Sequence, residues 1–78
     1  MAIRVKVNKI AVEKEIARRN MTQNHLALKA GITSGYISQL MCGLRHPSPE
    51  TREKLQNALH PLTFDDIFII EEINQKHH

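Results

Sequence analysis

The chain has 78 residues, 41% of them apolar, with two Phe, one Tyr and no Trp. A chain this short makes one small domain, here with an aliphatic core, and buries only about 60% of its unfolded surface. The net charge of +3 is mildly basic; the single Cys excludes an intrachain disulfide framework and suits a reducing cytoplasm. No apolar run has the length of a membrane helix, and no signal-peptide pattern is present. Charge is uneven along the chain. Through Arg45 there are eight Lys/Arg against two Glu, whereas from Arg52 onward there are three against five Asp/Glu. That polarity suits a molecule with one end facing phosphate.

Residues 3–7, I-R-V-K-V, alternate apolar and basic, which is the period of a strand. The stretch is short enough to be a lone arm as readily as a paired strand. Asn8 then caps a first helix expected to run to about Asn20, with Val12, Ile16 and Ala17 inward. Glu13, Lys14, Arg18 and Arg19 fall on its outer side.

Helix starts repeat one grammar. A polar cap is preceded by an apolar residue and followed four helical positions later by another, the hydrophobic staple. It occurs as Val7-Asn8-Val12, Met21-Thr22-Leu26, Ile32-Thr33-Ile37 and Leu62-Thr63-Ile67. The last adds a capping-box-like pair, Thr63 and Asp66. A fifth start uses Ser48 as cap, Pro49 at the first helical position and Glu50 against the dipole. That helix should end near Leu59, with Leu55, Ala58 and Leu59 inward. The expectation is an all-α chain of five short helices, with loops at 42–48 and 60–62.

Residues 22–41, T-Q-N-H-L-A-L-K-A-G-I-T-S-G-Y-I-S-Q-L-M, read as two short helices joined by a tight turn at Gly31, Ile32 and Thr33. With Gln23 as position one, Ala27 falls at five, Gly31 at nine, Ile37 at fifteen and Leu40 at eighteen. A small Ala lets the second helix approach, Gly supplies a positive φ that a β-carbon resists, and the two aliphatics plug the hinge. This stretch resembles the helix-turn-helix of the lambda-repressor and Cro family. The loop C-G-L-R-H-P-S-P-E also resembles that family's segment after its recognition helix. The likeness spans roughly residues 8–68, leaving out the N-terminal arm and the tail. His77 and His78 are assigned no role.

The resemblance implies a compact five-helix domain over residues 1–78 that binds double-stranded DNA. On the helix at 34–42, Tyr36, Ile37, Leu40 and Met41 take the inward side. Ser34, Gly35, Ser38 and Gln39 are left for the major groove. Gln39 is the long side chain there able to pair bidentately with adenine. Gly35 departs from the family, which often carries a larger polar residue in that slot. Gln23 resembles the family's phosphate-clamping Gln, and its N–H and that of Asn24 point toward an anion at a helix start. Thr33 belongs to the same DNA-facing turn. Arg45, His46 and Ser48 form the expected second phosphate cluster, while Lys29, Arg18 and Arg19 read as solvated charges. Phosphate contacts position such a domain and base contacts specify the site.

No metal-ligand spacing, Gly-rich phosphate loop or nucleophile motif appears, so no metal, cofactor or enzymatic activity is expected. Cys42 reads as a small filler. Leu28 lies on an outer position, either as an ordinary exposed Leu or as part of a contact patch. After Thr63 the chain reads I-F-I-I-E-E-I, more apolar than one buried helix face requires. Ile67, Phe68, Ile69, Ile70 and Ile73 are therefore expected to form a dimer contact or seal the core beside it. Two geometries fit. Either residues 68–72 are extended and pair with residues 3–7, within or between chains, or the helix continues onto a two-fold mate.

The family's implication is a bacterial or phage-encoded, cytoplasmic, nucleoid-associated regulator, a repressor that binds a short two-fold operator as a homodimer. Two alternatives stand beside it: an antitoxin that covers a toxin and autoregulates, and a protein-interaction module that has lost DNA binding. A toxin or an anti-repressor is then a possible protein partner; a membrane is not.

Overall fold

Each of the first four helices starts where a polar side chain in extended backbone accepts a hydrogen bond from an otherwise unpartnered N–H. Asn8 accepts from Ala11, Thr22 from His25, Thr33 from Tyr36 and Ser48 from Thr51, all at 3.1–3.2 Å. In the computed structural model, which describes residues 2–73, these caps open α1 (Lys9–Arg18), α2 (Gln23–Ala30), α3 (Ser34–Met41) and α4 (Pro49–Ala58). A fifth helix, α5 (Phe64–Ile67), opens on a capping box in which the Asp66 carboxylate accepts from the Thr63 N–H at 2.8 Å and its hydroxyl at 3.0 Å. Strands β1 (Ala2–Val7) and β2 (Phe68–Ile73) complete the order. His77 and His78 lie outside the described residues.

Helix ends are as regular as the starts. After α1, α2 and α3 the chain turns through one residue of positive φ, Asn20, Gly31 and Gly43. In each case the following N–H reaches back across the last turn: Met21 to the Ile16 carbonyl, Ile32 to Ala27, Leu44 to Gln39, at 2.8–3.0 Å. This is the Schellman closure, which satisfies carbonyls that the helix leaves open. It stops α1 at Arg18, two residues before the expected end, Asn being one of the few residues besides Gly that take up the left-handed region.

The core is aliphatic, with one aromatic. Leu26, Ile37, Leu40, Leu59 and Ile67 are its largest fully buried side chains. Two readings of α1 need correcting. Ala17 is exposed, because the inward stripe of this helix runs through Val12 and Ile16 and Ala17 lies off it. Arg19 is no solvated charge. Its guanidinium donates to the Leu59 carbonyl at 2.8 Å, to His60 at 2.9 Å and to Glu15 at 2.7 Å. It thereby closes the C-terminal end of α4, which has no Schellman turn of its own.

The tail is extended and pairs with the arm of the same chain. β1 and β2 form an antiparallel two-stranded ribbon with Arg4 opposite Glu71, Val5 opposite Ile70 and Val7 opposite Phe68. Glu71 takes both cations of the arm, Arg4 at 3.2 Å and Lys6 at 2.9 Å. Glu72 is directed to the other face. The tail's expected dimer residues separate. Ile67 and Phe68 are 0% and 3% exposed, so they seal the chain's own core and offer nothing to a partner. The physical reason is the ribbon root: Val7 and Phe68 face inward together and close the core beneath α5. Ile69 and Ile70 remain exposed and Ile73 half-buried.

Candidate nucleic-acid interface

Three buried anchors, Ile37, Leu40 and Met41, fix α3 against the core. They occupy one side of the helix at helical spacing, so Ser34, Gly35 and Ser38 are turned outward and exposed, with Gln39 half-buried at the edge of that face. Tyr36 stays half-buried, its hydroxyl 3.3 Å from Thr51 Oγ1, which ties α3 to the first turn of α4. The outer face is short, polar and uncharged. A β-carbon added to Gly35 would meet nothing within 4 Å, so no packing demands glycine there.

The turn into α3 behaves as its residue types require. Gly31 sits at φ +74°, and a β-carbon there would also meet nothing within 4 Å. The demand for Gly is thus conformational rather than steric crowding. Ala27, 1% exposed, lies directly under the junction.

Helix starts supply the donors. The Thr22 cap occupies the His25 N–H and the Thr33 cap occupies that of Tyr36. Within helix geometry this leaves the N–H groups of Gln23, Asn24, Ser34 and Gly35 without intrahelical acceptors. Neither helix has an acidic residue in its first turn, so nothing cancels the positive ends of these dipoles. Arg45 and His46 are exposed in the loop after α3. The Arg45 backbone is fastened by its N–H to the Gln39 carbonyl at 3.2 Å, which holds this residue's backbone at the end of the helix.

Ser48 stands differently from the rest of the expected set. Its hydroxyl donates to Thr51 Oγ1 at 3.1 Å while accepting from the Thr51 N–H, and Glu50 stands in the same first turn. The side chain is occupied as a cap, and the local charge is negative. Sequence reading gave Ser48 two roles, and the geometry favours the capping one.

The three buried anchors of α3, its polar outer face and free N–H groups at both helix starts define a DNA-binding helix-turn-helix domain. The helix-turn-helix family profile matches residues 12–67. The chain belongs to that family, of lambda-repressor/Cro-like type, whose members are DNA-binding regulators. Over 51 residues, 65% of this chain, it is 39% identical to a cyanate hydratase of Phaeodactylum tricornutum (strain CCAP 1055/1). The chain spans about a quarter of that relative's length, 26%, and what the two share is the helix-turn-helix segment. No solved structure matches the chain. Among the described residues no helix is long and apolar enough to cross a membrane, and no three His, Cys, Asp or Glu gather as metal ligands.

Proposed function

We propose that this chain is a sequence-specific transcriptional repressor that occupies a two-fold operator as a pair of copies and carries out no reaction itself. α3 lies in the major groove with Ser34, Gly35, Ser38 and Gln39 toward the base edges. Gln39 is the adenine reader. Phosphates on one side meet the N–H groups of Gln23 and Asn24, with Thr33 beside them, and on the other side meet Arg45 and His46. A bacterial or phage cytoplasm is the setting.

The observation that carries this reading is the outer face of α3. It is neutral, small and exposed on a helix whose opposite face is firmly anchored, whereas a merely solvated helix gains by carrying Glu and Lys pairs. With one long reader and an open Gly35, DNA shape contributes to selectivity. Selection from a random duplex pool tests the reading. The expected result is a two-fold consensus whose half-sites lie about 34–36 Å apart or a multiple of that. Recovery of no enriched sequence, with binding that only tracks salt, would overturn it.

A further inference from the structure

We propose that the cleft between the root of the ribbon and the end of α3 receives a segment of a protein partner, one that carries carboxylates among aliphatic side chains. This does not rest on the DNA reading, because none of the residues placed against DNA lines the cleft.

The ribbon leaves the helices at a corner. The molecule is elongated, 49 × 23 × 20 Å, and only the ribbon's root, Val7 with Phe68, is buried. Where the ribbon departs, its root, the first turn of α1 and the last residues of α3 enclose an open cleft of about 300 Å³.

Two kinds of surface meet there. Ile10 from α1 and Ile69 from β2 line the cleft and stand 59% and 38% exposed. Lys6 and Lys9 line it too, and no carboxylate does. Arg4 and Lys6 share the single carboxylate of Glu71, so that pairing leaves one positive charge over. Among the described residues Lys9 has no ion pair. Glu13, one turn beyond Lys9, neither pairs with it nor lines the cleft. A second cleft of about 350 Å³ shares Asn8 and Ile10 with this one, but sets Lys14 and Arg18 against Glu15 and Asp66. Charge there selects no partner. In the cleft at the ribbon it selects an anion.

The walls decide which anion. A phosphodiester would use the lysines and leave the two isoleucines wet. It would also meet the carbonyl end of α3, which has no basic residue in its last turn and is the negative pole of that helix. A peptide separates these demands along its length. Its carboxylates meet Lys6 and Lys9, its aliphatic side chains cover Ile10 and Ile69, and its N–H groups suit the carbonyl end of α3.

The test is selection from a random displayed peptide library on the full chain. The native thiol of Cys42 is the reporter, since it is exposed and lines the cleft. Enriched peptides should combine Asp or Glu with Ile, Leu or Val, and a synthetic copy should slow alkylation of Cys42. Lys9→Glu should weaken that peptide at least ~tenfold, repulsion replacing a charged hydrogen bond. A copy with its acids changed to Lys should recover binding to the variant. An acid in the first turn of α1 favours the helix dipole, so Lys9→Glu keeps the fold. Ile69→Ser, on the exposed ribbon, should weaken the same peptide without touching a charge. The proposal falls if no sequence is enriched, if the enriched peptides lack acids, or if binding is unchanged in Lys9→Glu. Displacement of the peptide by random duplex DNA, with Lys9→Glu weakening both alike, would give the cleft to phosphate and overturn it equally.

Discussion

Gln39 and Arg45 sit six residues apart at the end of α3 and are expected to fail differently. On the proposed reading Gln39 is a bidentate base reader, so Gln39→Ala should lower specific affinity by about 1–3 kcal/mol and relax one base position. On the same reading Arg45 meets a phosphate, so Arg45→Ala should weaken binding to all sequences alike and flatten the log–log salt dependence by about one unit. Titrations on the selected site and on random DNA at several salt concentrations separate the two; an unchanged consensus for Gln39→Ala would displace α3 from the reading position. Arg19 makes a third case, on stability. Its hydrogen bonds to two carbonyls and the Glu15 carboxylate predict a loss of about 1–3 kcal/mol for Arg19→Ala, charged hydrogen bonds contributing amounts of this order. Urea melts showing less than about 0.5 kcal/mol would refute that role. In the sequence Arg19 looks like any outward cation. Its carbonyl partners, Leu59 and His60, lie some forty residues away, and Glu15 is shared with Arg18, so no local pattern could separate the two.

Helix starts were legible in the sequence because the staple and cap are local: Thr22 and Thr33 need only their own neighbours to act. Helix ends were legible where Gly marks them, at Gly31 and Gly43, and missed at Asn20, whose left-handed turn follows from the same closure but carries a weaker compositional signal. The ribbon was legible as two β-prone segments with complementary charge. Whether they pair within one chain depends on α1 and α5 bringing Asn8 to Ile67, a tertiary fact that no window of sequence contains. Its ion pairs make a testable pH dependence. The Glu71 carboxylate is held below its ordinary value by Lys6 first and then Arg4. A carboxyl lowered in the folded state contributes stability above its unfolded pKa and loses it as pH falls through the folded one. The difference in melting temperature between the wild-type chain and Glu71→Gln should therefore be present at neutral pH and close below roughly pH 4. Asp66, lowered by the Thr63 N–H, and Glu15, lowered by Arg19, add to the acid sensitivity of the wild type but are common to both chains. A difference that persists unchanged in acid would mean that the ion pairs do not hold the ribbon.

At the scale of the molecule, β2 has two parts with different duties, and shortening the chain should separate them. Ile67 and Phe68 complete the core from its last helix, whereas residues 69–73 lie on the projecting ribbon. Each fully buried side chain of this size contributes about 1.5–3 kcal/mol, so a chain ending at Asp66 forgoes about 3–6 kcal/mol. The whole stability expected of a chain this long is about 4–12 kcal/mol. That chain should be largely unfolded at 37 °C, with Val7 also left uncovered at the root. A chain ending at Phe68 keeps both side chains and loses only the ribbon. It should retain its helical circular dichroism, melt cooperatively at a lower temperature, and bind half-sites weakly without self-association. The two chains bracket the boundary between fold and assembly to two residues. Cooperative melting of the Asp66 chain near the full-length temperature would show that the helices close their core without the tail, and the assignment of Ile67 and Phe68 to the core's stability would fall.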